Sequence, residues 1–215
     1  MVNREIIILK GICTKAVDWG FLGKNPVKGI KLAKERPRER YLNREERTRL
    51  IEAAGKTGKP YYLKSLIVID LVTGPRKQEL LHLKWEDINL EQNALRVREG
   101  KGGDTRSVPL NEKAKVEMLR LFKKAKGDYL FHDRKGRPFK DIKKTFNEAV
   151  KAAMLENVHF HDLRRTFATE CVFRGVSPKT LQKWMGHSSI KTTMKWSAFR
   201  RSMGATFAIS MCSLY

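Results

Sequence analysis

Cysteine is scarce in this 215-residue chain, and the three present, Cys13, Cys171 and Cys212, are scattered without C-x-x-C spacing. That excludes a disulfide framework, gives no zinc-finger pattern and fits a reducing compartment. His159 and His161 come nearest to a metal pair, but two ligands fall short of the four a structural metal takes, so no metal is expected. Long apolar runs are also missing. The N-terminal run Ile6–Leu9 is too short for a signal-peptide core, and no stretch approaches the roughly 20 residues that cross a bilayer. No internal repeat or long low-complexity tract interrupts the chain. Acidic residues are few, 23 against 45 Lys and Arg, and the formal charge is +22. Such a field draws polyanions and predicts salt-sensitive binding. It narrows the partner to nucleic acid or an anionic surface, and RNA-binding proteins share this balance.

Periodicity predicts a mainly helical protein with a small antiparallel sheet. Residues 3–22 read as a helix with Ile7, Ile8, Ile12, Ala16 and Trp19 on its apolar side, ending near Gly20–Gly23. Residues 31–40, KLAKERPRER, lack an apolar stripe and read as a basic linker. Asn43 with Glu46 three residues on is a capping arrangement for a helix over 43–54. Residues 61–72 are nearly all apolar and predict a buried central helix, with Asp70 its polar exception. Strands fall near 94–98 and 105–109 around a Gly-rich turn. Helices are expected over 111–125, exposing Lys113, Lys115, Lys123 and Lys124, and over 141–154. The helix after His161 should bury Leu163, Phe167, Cys171 and Val172 and stop at Gly175. Ser177-Pro178 then supplies an N-cap and first-turn proline for the next helix.

The chemistry concentrates in HDLRRTFATECVFRGVSPKTLQKWMGHSSIKTTMKW, from His161 to Trp196. His161 and Arg164 stand three residues apart and would share one helical turn, within reach of one anionic group. His187 follows the helix-stopping Gly186. Upstream, TGPRKQELLHLKWEDI places Arg76 at the start of a short helix after a Gly-Pro break. Taken singly, each residue has an ordinary explanation: Arg76 as a surface arginine, Lys101 as a solvated hairpin lysine, His161 or His187 as a half-buried histidine, Trp196 as a core aromatic.

In this order and in the contexts TG-x-R, H-x-L-R and G-H-S, the residues resemble the tyrosine recombinases, the phage-integrase family. RVREGKGGDTRSVPL resembles the family's hairpin with its catalytic lysine, and Lys101 falls at the matching position, five residues before Arg106. The resemblance implies that fold, a double-stranded DNA partner at attachment or recombination sites, and DNA integration or recombination without cofactor or metal. It also implies roles. Arg76 and Arg164 would clamp the non-bridging oxygens of a DNA phosphate, and Lys101 would protonate the departing 5′ oxygen. His161 would assist proton transfer, and His187 would bond the phosphate or support the clamp. The family's nucleophile is a tyrosine forming a 3′-phosphotyrosyl link. Here that position, nine residues after His187, is Trp196. An indole N–H has no oxygen with which to attack phosphorus.

By the same resemblance, residues 1–30 are expected to be the last helix of a truncated core-binding, SAM-like domain. Residues 31–40 would be its linker, 41–200 the catalytic domain, and 201–215 a C-terminal tail. The uncharged segment after Arg201 either docks on a neighbouring protomer in a homo-oligomer on DNA or is a nonfunctional end. A bacterial or phage-type, cytoplasmic, DNA-associated protein of a mobile element is implied, away from membranes. Three functions remain open. One is an active recombinase, its nucleophile supplied by Tyr215 or by another protomer. The second is a cleavage-deficient DNA-binding descendant or regulator, and the third a basic RNA-binding helical protein. The resemblance favours the recombinase family with cleavage lost.

Overall fold

The computed structural model describes residues 2–33, 40–56, 60–98 and 105–194. The chain divides at Glu39–Arg40 into two compact units. In the first, helix α1 spans Val2–Asp18. It stops short of the expected 22 because Gly20 takes a left-handed φ of +79°. The Phe21 N–H then turns back to the Ala16 carbonyl at 2.8 Å. The following segment returns along the helix. Asn25 donates to the Lys10 carbonyl, Lys10 reaches the Ile30 carbonyl at 2.5 Å, and Asn3 exchanges two hydrogen bonds with Ala33. Ile7, Ile8, Ile12 and Trp19 all remain exposed, and none of the described residues of this unit is buried.

The second unit is built around a helix that is apolar on every side. Helix α2 (Arg44–Lys56) starts with the predicted reciprocal cap: the Asn43 side chain accepts from the Glu46 N–H, and the Glu46 carboxylate accepts from the Asn43 N–H. Helix α3 (Leu63–Thr73) buries Leu66, Ile67 and Ile69 completely, and an all-round apolar helix is stable only with partners on each side. It packs on α2, on α5 (Glu112–Phe122) and on α7 (His161–Phe173). Asp70 is as buried as its apolar neighbours, and Ser65 and Thr73 are buried with it. Gly74 ends α3 at φ +61°, where a Cβ would stand 2.2 Å from Cδ1 of Phe167. Only glycine fits between α3 and α7 there.

Helix α4 (Lys77–Leu81) follows, then a 3-10 turn at Trp85–Asp87. The sheet has order β1-β2-β3, formed by Ile88–Asn89, Ala94–Arg98 and Thr105–Pro109. All pairs are antiparallel, with Leu95 opposite Val108 and Val97 opposite Arg106. β2 and β3 are as predicted. β1 was not, since two residues carry no periodicity. Asn111 caps α5. That helix ends at Phe122 rather than 125, because the Lys124 and Ala125 N–H groups close tighter turns on Leu121 and Phe122. Val116, Leu119 and Phe122 face solvent beside the lysines, and Lys115 is half-buried against Glu112 rather than exposed.

Helix α6 (Lys143–Ala152) is shorter than expected at both ends. The Asp141 carboxylate accepts from the Ile142 and Lys143 N–H groups ahead of it, and Met154 takes φ +52° after it. α7 buries the four residues predicted and stops before Gly175 at φ +78°. It also buries Asp162, Arg164 and Glu170, which its apolar pattern did not announce. Helix α8 (Pro178–Met185) begins with the Ser177 hydroxyl accepting from the Thr180 N–H, and it shares a second small core with α7 through Phe167, Cys171, Leu181 and Met185. Burial pushes the Cys171 thiol up to about 12, which leaves it an inert apolar filler.

Candidate active site

The C-terminal end of α8 organises the site. The last carbonyls of a helix lack intrahelical donors and carry its negative dipole end, so they draw cations. Three consecutive carbonyls here each accept a guanidinium. Arg106 of β3 donates to the Trp184 carbonyl at 2.8 Å, Arg164 of α7 to Met185 at 2.5 Å, and Arg76 to Gly186 at 2.5 Å. Arg164 also donates to the Gly74 carbonyl at 2.6 Å, tying α7 to the glycine that ends α3. Gly186 closes α8 in the left-handed conformation, φ +61°, and delivers His187 into the loop beyond.

One carboxylate joins two of these arginines. Glu79, in the first turn of α4, accepts from the Arg76 side chain at 2.6 Å and from the Arg76 backbone N–H at 2.7 Å. It also accepts from both terminal nitrogens of Arg106, at 3.2 and 2.5 Å. Burial alone would raise its pKa. Hydrogen bonds from Arg106 and Arg76 outweigh that and hold the carboxylate below its ordinary range. Arg106 and Arg164 are buried, whereas the Arg76 side chain is 47% exposed and is the arm of the cluster that faces solvent. Burial first, then Arg76 and Arg106, bring Arg164 down to about 10, so it stays charged at neutral pH.

The histidines lie within this positive field. The His187 ring Nδ1 is 3.0 Å from the hydroxyl of the fully buried Thr193, and the Gln182 amide donates to the His187 carbonyl at 2.9 Å. Partial burial, then Arg164, Arg76, Arg106 and His161, lowers His187 to about 4. His161, at the first turn of α7, is lowered by partial burial and by Arg165 and Arg164. Both imidazoles are therefore neutral at pH 7. Each can hydrogen-bond an oxygen anion or pass a proton without first shedding one.

The structure thus brings Arg76, Arg164, His161 and His187 into one electrostatically coupled group. His161 and Arg164 differ in burial: Arg164 is buried against two carbonyls, and His161 is the more open of the two. Lys101, Trp196 and Tyr215 lie outside the described residues, as does the tail over 201–215. Sequence reasoning missed Glu79 and Arg106. Glu79 left a local trace, an acid three residues after Arg76 in a first helical turn. Arg106 left none, because an arginine inside a strand of a basic chain is unremarked until its partners are known. Among the described residues, no group of three or more His, Cys, Asp or Glu is placed to hold a metal ion, and no helix is long and apolar enough to cross a membrane.

A mainly helical unit with a three-stranded antiparallel sheet thus carries an arginine-histidine cluster at a helix C-terminus. Residues 40–201 match the phage integrase family, and the chain belongs to that family. It is 33% identical over 146 residues to the tyrosine recombinase XerC of Staphylococcus saprophyticus, covering 63% of this chain and 49% of that protein. It is 30% identical over 200 residues to the integrase of Escherichia phage P2, covering 92% and 55%. Its fold matches the Tn1549 transposon integrase in complex with circular intermediate DNA with a TM-score of 0.76 at 26% identity, over 94% of this chain and 78% of that one. The XerA recombinase matches with a TM-score of 0.66 at 27% identity, over 88% and 72%. The chain spans about half the length of the curated relatives it matches first.

Proposed function

We propose that this chain is the catalytic part of a tyrosine-type site-specific recombinase that binds double-stranded DNA at attachment or recombination sites and is deficient in cleavage. The observation that carries the reading is the set of three arginines fixed on consecutive carbonyls of α8, with Arg76 reaching solvent. The fixed carbonyls preorganise the guanidiniums, so little reorganisation is needed when negative charge gathers on a phosphate. Arg76 and Arg164 clamp the non-bridging oxygens. His161 moves a proton, His187 bonds the phosphate in its neutral form, and Lys101 protonates the departing 5′ oxygen. No metal or cofactor takes part in this scheme. At the nucleophile position Trp196 supplies no oxygen, so binding persists and strand cleavage does not.

Residues 1–30 then act as the last helix of a core-binding, SAM-like domain, residues 31–40 as linker, 41–200 as catalytic domain and 201–215 as a tail. The exposed apolar face of α1 supports the first of these, since it offers a surface for a partner. A homo-oligomer on DNA and a cytoplasmic setting accompany the reading. Denaturing gels with nicked suicide substrates test it, with binding checked in every sample. An adduct formed only by Trp196→Tyr is the expected result. An adduct from the unaltered chain overturns the deficiency and directs the search to Tyr215. If neither sample forms one, the chain is instead a non-catalytic DNA-binding remnant or regulator, the second reading that Trp196 favours.

A further inference from the structure

We propose that the hollow between the start of α3 and the α5–α6 connection binds an unpaired nucleotide, an aromatic ring carrying a phosphate. The hollow measures about 830 Å³, within the roughly 300–1,000 Å³ of small-ligand sites. It lies apart from the arginine cluster in composition. Among the described residues, no Tyr, Phe or Trp ring belongs to the arginine-histidine group, whereas here the wall is built of such rings and the rim is cationic. The Tyr62 and Phe139 rings lie 4.2 Å apart with a 35° tilt, and Tyr61 meets Tyr62 edge-on at 5.7 Å. Tyr62 is buried and anchors the wall, while Tyr61 and Phe139 are half-buried and line the hollow.

Three cations share the rim. Lys124 holds its ammonium over the Tyr61 ring, 5.2 Å from the centroid, and Lys126 and Arg134 are exposed beside it. None of the three side chains forms an ion pair among the described residues. The one acid present, Asp133, is already engaged: it accepts from the Lys135 and Arg137 N–H groups and from the Arg137 guanidinium at 2.9 Å. It therefore adds no uncompensated negative charge.

The rim is fixed in place before any ligand arrives. Buried His132 accepts from the Lys126 N–H at 3.2 Å and donates through Nδ1–H to the Asp133 carbonyl at 2.8 Å. Gly136 passes so close to the Lys126 carbonyl that a Cβ would stand 2.2 Å from it. A rigid aromatic wall with unpaired cations at its edge fits base stacking plus phosphate neutralisation. Bases inside a duplex are already stacked, so the occupant is an unpaired base of a DNA strand or a free nucleotide.

The test uses the full chain and a short single-stranded oligodeoxynucleotide carrying 5-iodouracil, with ultraviolet crosslinking mapped by mass spectrometry and affinity read by fluorescence anisotropy. Crosslinks within 60–62 or 134–139 are expected. Tyr61→Ala and Lys124→Glu should each weaken strand binding roughly tenfold beyond a charge-matched control, Lys151→Glu, and Tyr61→Phe should retain it. Competition by thymidine 5′-monophosphate supports a pocket that also takes free nucleotide, and lack of competition supports one that requires a strand. Crosslinks confined to other segments, no strand binding, or variants no weaker than the control overturn the proposal. No cleavage is read, so the outcome is separate from that of the recombinase reading.

Discussion

At the residue scale, the buried ionisable groups pull stability in opposite directions with pH. His187 is lowered from 6.5 to about 4, so between those values the unfolded chain binds more protons than the native one. Stability then falls as pH drops through that window and is unaffected by this group above it. Asp70 behaves in reverse. Its carboxyl is fully buried with neither oxygen hydrogen-bonded, and burial raises it well above 3.8 despite the pull of Arg164. The stability it contributes is present below 3.8 and is lost as pH rises toward its folded value. Asp70→Asn should therefore be more stable than the parent at pH 8 and closer to it at pH 4, as denaturant melts at the two values will show. Imidazole NMR titration should find His187 near 4 in the free protein and higher once duplex DNA places a phosphate beside it. A DNA-independent value near 6.5 would separate His187 from the arginine field.

Arg164 shows why removal costs more than the bond it makes. Arg164→Ala strands the Gly74 and Met185 carbonyls in the interior, an expected loss of about 1–3 kcal/mol in thermal melts, together with loss of DNA affinity. Arg76, half in solvent, separates the two effects. Arg76→Ala should leave the melting temperature nearly unchanged and weaken DNA binding well beyond Lys151→Ala. Equal losses for those two variants would favour a diffuse basic binder over a phosphate clamp.

At the element scale, helix ends matter more than helix bodies. The caps at Asn43, Asn111 and Ser177 all stand where side-chain chemistry puts them, because capping is decided within a few residues. The ends that moved, at Asp18, Phe122 and Ala152, did so where a left-handed residue or a tighter turn closed the helix earlier than its composition implied. Gly74 links an element end to the site. Its left-handed φ and its contact with Phe167 predict that Gly74→Ala costs about 2 kcal/mol or more. Because its carbonyl receives Arg164, DNA affinity should fall with stability; a variant melting like the parent would contradict the packing described.

At the scale of the whole molecule, under the proposed function, a charge of +22 sets the range and salt response of DNA capture without choosing the site. Affinity should fall steeply and linearly on a logarithmic salt scale, and Arg76→Ala should lessen that slope by about one phosphate contact. What the sequence determined by itself was local: the caps, the buried run of α3, the hairpin strands, the excess of positive charge, and the residue types at Arg76, His161, Arg164 and His187. Only the tertiary structure decided that Arg106, Arg164 and Arg76 meet at Trp184, Met185 and Gly186, across separations of 78, 21 and 110 residues. Periodicity reports which face of an element is buried, but not which distant donor will answer the open carbonyls at its end. Here three arginines answer them, and Glu79 holds two of those arginines together.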